Sequence, residues 1–513
     1  MIYSTGTRTG DHYNLLLGGR TAEAVKDQFK DRFGEPRYTV GLGGSGGGIQ
    51  QYVYQQKHPD LLDAAIPQLA YPDMSTQTIH VGDCNLLERY MDVDAADDPV
   101  WQDWDNRRWL LGLNTIEGYM GSTAEVLAQA QQILGQPAQT GSSECLEGWP
   151  GLSAVAMNPT FGAERNWHLL GDQMDEVEKT HWDDVAEAYG RDPESGFARV
   201  PWDNVGVQYG LRALLDGRIS LEQFLDVNAR VGGWVSTADM VPEAAPYAGV
   251  SGDLFDPSDQ EDIVAVLTGR LDWDPWSARN MRVSPDEGRT PAPRTEGDLD
   301  AIRGAYESGL VFLGAPPREI PIIEARHHLE HVLDMHNAHQ SFAVEARLLA
   351  NQGHADNHTI WWLETDEEGG SPWLVEFYEE AFDVIEEWMS AMEADPSLSA
   401  GEARPERASP RCFEVEGSLI ASGEDVWDGA MDEEPRGACA RHFEIRSTSR
   451  IEAGGPISGD VYKCRTMPVR QAVDEGMYQG VELDEEAIRR LEEIHPEGVC
   501  DYSRPGLGDP RGG

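Results

Sequence analysis

Five residues near the start of the chain, 43–47 with the sequence GGSGG, place one serine among four glycines in the pattern G-x-S-x-G. A serine in this pattern is a nucleophile when it stands on a tight turn between a strand and a helix, where only very small neighbours fit. The pattern predicts that Ser45 attacks the substrate and that the N–H of Gly46 stabilises the oxyanion. A structural glycine turn or a phosphate-binding loop stays open, although the Gly-Lys-Ser/Thr ending of a Walker loop is absent.

The residues around this motif predict the elements that must hold such a nucleophile. A β-rich run over 37–40 leads into the motif, and a helical pattern over 49–56 follows it. We also expect a strand over 1–4, an amphipathic helix over 21–33 and a strand over 64–67. Strands and helices that alternate with short turns favour parallel βαβ units.

Histidines concentrate late in the chain. Seven of the fourteen lie in one short stretch: His327, His328, His331, His336, His339, His354 and His358. They follow a predicted strand over 319–323, and a serine nucleophile needs an imidazole to take its proton and a carboxylate to orient that imidazole. We therefore predict His336 or His339 as the base. Asp334 is the first candidate for the acid, and Glu324, at the end of the predicted strand, is the second.

The same histidines allow a different reading. Residues 327–331, HHLEH, match the H-x-x-E-H pattern of zinc peptidases, in which two imidazoles share a helical face beside a general base. These residues follow a strand and precede no long helix, and no third ligand can be assigned. Zinc-dependent hydrolysis is therefore the minor alternative, and we expect no metal or other cofactor.

The net charge of the chain limits the kinds of partner that it can bind. Its 513 residues include 91 acidic and 40 basic side chains, a formal net charge of −51, and the acidic residues are spread over the whole length. Because 15 Trp, 16 Tyr and 12 Phe accompany them, we expect a folded protein with an acidic surface, as in proteins from salt-loving organisms. The absence of a basic patch argues against nucleic acid as a partner. The oligomeric state is left open.

Six cysteines, at positions 84, 145, 412, 439, 464 and 500, lack the C-x-x-C spacing of metal sites. We expect three disulfides by nearest pairing, Cys412–Cys439, Cys464–Cys500 and Cys84–Cys145, and hence an extracellular location. Six buried thiols are the alternative. No stretch reaches the roughly 18 apolar residues of a membrane-spanning helix, and no signal peptide is recognised.

The pattern along the chain predicts four regions of an α/β protein. Residues 1–75 form the first part of the core with the nucleophile, and 311–395 form the second part, with a helix over 341–350, a strand over 358–363 and a long helix over 374–392. Residues 76–310, with helical patterns over 122–134 and 207–215, form a large helical and irregular cap that supplies the substrate site. Residues 396–513 form a disulfide-tied C-terminal extension with one clear helix over 484–494.

Several blocks of the sequence together resemble the DUF6351 family. They are YTVGLGGSGG (38–47), PWDNVGVQYGL (201–211), NQGHADN (351–357), STSRIEAGGPI (447–457) and GVCDY (498–502). The resemblance covers nearly the whole chain. It implies an α/β-hydrolase-like, mostly parallel sheet and a secreted ester hydrolase, distantly similar to tannase-like and hydroxybutyrate-oligomer esterases.

This resemblance frames two functional hypotheses. The first is a serine ester hydrolase that acts through an acyl-enzyme on a small or oligomeric carboxylic ester. Because the nucleophile is reached by residue 45, we expect an N-terminally truncated core, with the usual first oxyanion donor upstream of Met1. That expectation motivates the second hypothesis, a catalytically impaired secreted binding protein on a hydrolase scaffold.

Overall fold

The computed structural model describes residue 2 and residues 4–9, 14–116, 141–145, 181–240, 278–432 and 434–512. Within these residues the strands are β1 (Val40–Gly44), β2 (Ala64–Gln68), β3 (Gly233–Trp234), β4 (Met281–Arg282), β5 (Ile322–His327), β6 (His358–Leu363), β7 (Arg411–Phe413), β8 (Leu419–Ser422), β9 (Arg465–Met467) and β10 (Val499–Asp501).

The α-helices of the described residues are α1 (Leu15–Phe33), α2 (Gly46–Lys57), α3 (Met74–Arg89), α4 (Pro99–Gln102), α5 (Arg108–Leu111), α6 (His181–Tyr189), α7 (Leu211–Leu215), α8 (Leu221–Arg230), α9 (Leu299–Ser308), α10 (His339–Asn351), α11 (Leu374–Ala394), α12 (Ala438–His442), α13 (Ser449–Glu452), α14 (Val469–Asp474) and α15 (Glu485–Ile494). Short 3₁₀ turns include Thr5–Thr7 and Asp334–His336, and a π-helical turn spans Tyr90–Asp94.

The chain divides into two compact units. The first unit comprises Met1–Gln77, Tyr306–Ser447 and Ile457–Asp460. The second unit comprises Thr78–Ala305, Thr448–Pro456 and Val461–Gly513. The segment 396–513, expected as one extension, therefore contributes residues to both units, because its first part continues the sheet of the first unit.

A six-stranded sheet organises the first unit, in the order β1-β2-β5-β6-β7-β8. Neighbouring strands are parallel from β1 through β7, and only β8 runs antiparallel to its neighbour β7. The helices between successive strands, α2, α10 and α11, make this a mixed α/β sheet with parallel crossovers. The mostly parallel sheet predicted from the sequence is confirmed.

Helices cover this sheet on both faces, so its central strands are buried in almost every position. On one face, Tyr52 and Val53 of α2 pack with Val344 of α10 and with Ile322. On the other face, α11 packs against the next residue of the same strand, Ile323. Strand side chains alternate between the two faces, so successive isoleucines of β5 stabilise two different cores.

Three disulfides form, Cys84–Cys145, Cys412–Cys439 and Cys464–Cys500, with Cα separations of 5.3, 5.9 and 5.4 Å. All three predicted pairs are confirmed. Cys412–Cys439 joins β7 to α12 in the first unit, and the other two lie within the second. The described residues contain no helix long and apolar enough to cross a membrane.

The element bounds differ from the predictions in a few places. The strand expected over 319–323 runs instead over Ile322–His327, and the one expected over 37–40 runs over Val40–Gly44. Helix α7 begins only at Leu211, because the preceding residues form an irregular segment ended by Gly210 in the left-handed conformation. The helix expected over 122–134 lies outside the described residues, as does part of the strand expected over 1–4, where residue 4 caps a 3₁₀ turn.

Candidate active site

Ser45 stands between β1 and α2 in a conformation that few non-glycine residues adopt. Its φ is 53° and its ψ is −118°, and its backbone N–H is held by the carbonyl of Gln68 at 2.9 Å. Leu69, directly after that acceptor, also has a positive φ of 46°. Such conformations cost of order 1–3 kcal/mol each and cluster at functional sites. Only one further non-glycine residue of the described part shares a positive φ, so the strain is concentrated here.

The glycines of the motif are required by close approaches within the turn. A Cβ on Gly43 would lie 3.2 Å from the Cα of Gly47, so the two outer glycines of the pattern face each other. A Cβ on Gly48 would lie 2.6 Å from the Cβ of Ala70, two residues after the end of the neighbouring strand. The sequence GGSGGG therefore forms a tight turn between β1 and α2 that has no room for larger residues at these glycines.

This bend leaves Ser45 partly exposed at the carboxyl edge of the sheet and at the start of α2. Gly46 is the first residue of the helix, so its N–H has no partner inside the helix. The helix dipole adds positive potential at this end. A negative charge that develops beside Ser45 would therefore meet a free N–H donor and a favourable field.

A segment that precedes α1 lies against this turn. The side-chain amide of Gln50 donates to the carbonyl of Thr7. A Cβ placed on Gly46 would come within 1.8 Å of the Thr9 hydroxyl oxygen, so Thr9 packs directly on the proposed oxyanion donor. Sequence reasoning missed Thr9, because nothing in its local sequence indicates a contact with a glycine 37 positions later.

Arg326 connects the loop between β5 and α10, which contains His336, to the residues that follow β2. Its guanidinium donates to the carbonyls of His336 at 2.8 Å and Ala70 at 2.6 Å. Ala70 comes two residues after Gln68, the acceptor for Ser45. Arg326 belongs to β5, which is separated from β1 only by β2 in the sheet. Sequence reasoning missed this arginine, since a buried cation within a strand has no local signal.

His336 is one of the two histidines predicted as the base. Its ring packs 6.4 Å from the ring of Tyr71, centroid to centroid, and its Nδ1 is buried without a hydrogen-bond partner in the described residues. Burial, the Arg326 charge and the neighbouring His327 lower the pKa of His336 to about 4. The imidazole is therefore neutral at neutral pH, the state that a general base needs.

The remaining predicted residues of this loop are also buried. Asp334 is fully buried at the start of the 3₁₀ turn that contains His336, and His339 is the first residue of α10 at 2% exposure. Burial and the nearby Asp334 raise the pKa of Glu330 to about 8, while its Oε1 accepts the backbone N–H groups of Ala338 and residue 446, both at 3.1 Å. Because His336 Nδ1 has no partner, an orienting bond from Asp334 is not formed at that atom.

The sequence predicted that Glu324 lies at the end of a strand, and this position is wrong. It is the third residue of β5, fully buried, and its Oε1 accepts the Ser341 hydroxyl at 2.6 Å and Arg326 Nη2 at 3.1 Å. Its Oε2 accepts the Tyr52 hydroxyl at 2.7 Å and lies 3.6 Å from His358 Nε2. Burial alone would raise its pKa, but His358, Arg326 and Ser341 outweigh that effect and lower it to about 2.

The zinc-peptidase pattern over 327–331 is not carried on a helix. His327 ends β5 with its Nδ1 2.8 Å from the Tyr378 hydroxyl, and burial lowers its pKa to about 4. His331 is exposed and lies 2.7 Å from the carbonyl of Asp366. The two imidazoles therefore do not share the helical face that the pattern requires. The described part of the chain holds no group of three or more His, Cys, Asp or Glu side chains suited to a metal ion.

Comparison with known proteins gives one match. A family model described as "Tannase-like family of unknown function (DUF6351)" matches residues 1–511. No curated protein and no solved structure matches the chain.

Proposed function

The chain belongs to the DUF6351 tannase-like family, and within it we propose that this protein is a serine ester hydrolase that works through a covalent acyl-enzyme on a carboxylic ester. The family points to a hydrolase, and the mixed α/β fold with a mostly parallel sheet is consistent with an α/β hydrolase. The observation that carries the finer proposal is the conformation of Ser45. Its φ of 53° and ψ of −118°, on a turn between a strand and a helix, support the proposal, because a nucleophile elbow holds its serine on a strained turn of this kind.

The proposed reaction uses residues at the carboxyl edge of the sheet. Ser45 Oγ attacks the ester carbonyl as the imidazole of His336 takes its proton, and the new Oγ–C bond gives a tetrahedral oxyanion beside the Gly46 N–H. The C–O bond to the alcohol then breaks, and the alcohol leaves with the proton from His336. Water, deprotonated by the same imidazole, hydrolyses the acyl-enzyme and restores Ser45.

We assign the base to His336 rather than His339 because of their surroundings. His336 lies on the loop that Arg326 ties to Ala70, beside the strand end that holds Ser45. His339 begins a helix and is almost completely buried. Asp334 is proposed to orient His336 once substrate is bound, since catalytic hydrogen bonds are often formed only in the complex.

Thr9 is proposed to assist at the oxyanion. Its hydroxyl lies against Gly46, the residue whose N–H would meet the developing charge. A hydroxyl donor beside that N–H would supply the second hydrogen bond that oxyanion holes generally contain. Replacing Thr9 with Val, which keeps the shape and removes the donor, should lower kcat more than it raises KM.

We further propose that the protein acts outside the cell in high salt. The three disulfides are consistent with an extracellular protein. The net charge of −51, spread over the chain, is tolerated most easily where salt screens the repulsion.

The test is hydrolysis of p-nitrophenyl esters in molar KCl by the native chain and two variants. Ser45→Ala should lose several orders of magnitude in kcat, because removing the nucleophile of such a system has that effect. Ser418→Ala, which alters an exposed serine of the same unit, should match the native rate. Equal rates for Ser45→Ala and the native chain would rule out the serine mechanism. Activity of Ser45→Ala that a chelator abolishes would favour metal-dependent hydrolysis.

A further inference from the structure

Asp83, Arg450 and Arg294 form a buried cluster in the second unit, with two positive side chains and one negative side chain. Asp83 is fully buried and pairs with Arg450 through two contacts, Nε–Oδ2 at 2.6 Å and Nη2–Oδ1 at 2.9 Å. The hydroxyls of Tyr209 and Ser449 donate to the same carboxylate at 2.7 and 2.6 Å. Both carboxylate oxygens of Asp83 therefore already accept two hydrogen bonds each. The guanidinium of Arg294, which lies nearby, has no direct counter-charge in the described part of the chain.

Arg294 uses only part of its hydrogen-bonding capacity. Its Nη2 donates to the backbone carbonyl and to Oδ1 of Asn228, both at 3.1 Å, and its guanidinium carbon lies 5.0 Å from the ring centroid of Tyr209. Its Nε and Nη1 are buried and have no hydrogen-bond partner among the described residues, where it also forms no ion pair. Burial lowers the pKa of this group from its ordinary value, as expected for a cation with too little counter-charge.

His495 adds a second side chain with unused polar atoms beside Arg294. It follows α15 directly, is 3% exposed, and neither Nδ1 nor Nε2 has a partner within the described chain. Burial and the adjacent Arg294 lower the pKa of His495 to about 3, so the ring is neutral and offers one N–H donor. Helix α15 packs on α8, which carries Asn228, so the three side chains belong to one packed region.

From these unused donors we propose that Arg294 and His495 bind a small monovalent anion, chloride in a saline medium, inside the second unit. A buried guanidinium with two empty donor nitrogens is costly, and so is a buried charge that lacks a partner. A water molecule would satisfy the donors but not the charge. A single monovalent anion does both, because the cluster of Asp83, Arg450 and Arg294 carries one excess positive charge.

The surrounding protein makes such a site depend on salt. With a net charge of −51 the chain repels anions at long range, so a halide is held only by the local cation and donors. We expect the site to fill at the high chloride concentrations in which screening also operates. Its occupancy is separable from screening, because screening depends on ionic strength whereas binding depends on the identity of the anion and saturates.

The test measures melting temperature at constant potassium concentration while gluconate is replaced stepwise by chloride. The native chain should show a rise in melting temperature that saturates with chloride. Arg294→Gln should lose this rise. Arg470→Gln is the matched control, since it removes an exposed cation of the same unit that pairs with Glu485 and Glu492, and it should keep the rise.

A second readout uses bromide as a heavy substitute for chloride in crystals of the native chain. Anomalous density is expected between the guanidinium of Arg294 and the ring of His495. A native chain with no saturating response, an equal response in Arg294→Gln, or no bromide density at this position would each overturn the proposal. If Arg294→Gln does not fold, the bromide density of the native chain decides alone.

Discussion

Replacing Glu324 with Gln separates a structural from a catalytic role for this carboxylate. The pKa of Glu324 is lowered from 4.5 to about 2, and at 1.36 kcal/mol per pKa unit this difference corresponds to about 3 kcal/mol of stability. Removing one partner of a buried ion pair costs about 3–5 kcal/mol, in the same range. Glu324→Gln leaves Arg326 buried without its counter-charge, so we expect a loss of about 3–5 kcal/mol in the free energy of unfolding.

The sign of the pH dependence follows from the same shift. Because the folded-state pKa lies below the ordinary value, this contribution is fully present above about pH 4.5 and is lost as the pH falls toward about 2. The native chain should therefore lose its advantage over Glu324→Gln across that window. Urea unfolding in molar KCl, followed at several pH values, measures the difference.

The matched control is Glu386→Gln. Glu386 also accepts a tyrosine hydroxyl, that of Tyr38 at 2.8 Å, but the contact is exposed. Its replacement should change the free energy of unfolding by less than about 0.5 kcal/mol. Glu324→Gln should keep its kcat per folded molecule, because its oxygens face Tyr52, Ser341 and Arg326 rather than the His336 ring. Unchanged stability together with a large fall in kcat would rule out a structural role and assign Glu324 to the catalytic machinery.

Three further results are expected. Because burial, Arg326 and His327 hold the pKa of His336 at about 4, kcat/KM should fall along an acid limb near pH 4; a limb near 6.5 would point to another base. The pKa of Glu330 is about 8, so between about pH 4.5 and 8 the folded chain holds a proton that the unfolded chain lacks, and its stability falls as the pH rises. Glu330→Gln should not show this fall. A difference in melting temperature between the native chain and Glu330→Gln that stays constant over this range would contradict the expectation. The melting temperature should rise steeply from roughly 0.1 M to molar KCl, and a flat response would refute the high-salt proposal.

Local sequence was sufficient to predict the elements around the nucleophile. The glycine motif, the helix after it and the strand at 64–67 follow from patterns within a few residues of each other, and the structure contains all of them. Strand β6 has the bounds predicted for it, 358–363, and its last four residues are apolar. The three cysteine pairs were also predicted, since nearest pairing closes the smallest loops.

Long-range packing explains what the sequence did not reveal. The strand predicted over 319–323 stops before Glu324, Arg326 and His327, which the structure places in β5. Glu324 and Arg326 are buried in the strand because Tyr52 and Ser341, distant in sequence, satisfy the carboxylate, while a tyrosine of α11 contacts the half-buried imidazole of His327. Likewise, seven neighbouring histidines could not be ranked without knowing that Arg326 ties one of them to the edge that carries the serine.

Labelling with a fluorophosphonate probe in molar KCl, followed by intact mass and peptide mapping, tests whether Ser45 is an activated nucleophile. Only a serine whose proton is taken by a neighbouring base reacts readily with such a probe. We predict one label per chain, located on Ser45, in the native protein and in Ser418→Ala, and none in Ser45→Ala. A folded native chain that takes up no label, or takes it up at another serine, would contradict the assignment of Ser45 as the nucleophile and favour a binding protein on a hydrolase scaffold.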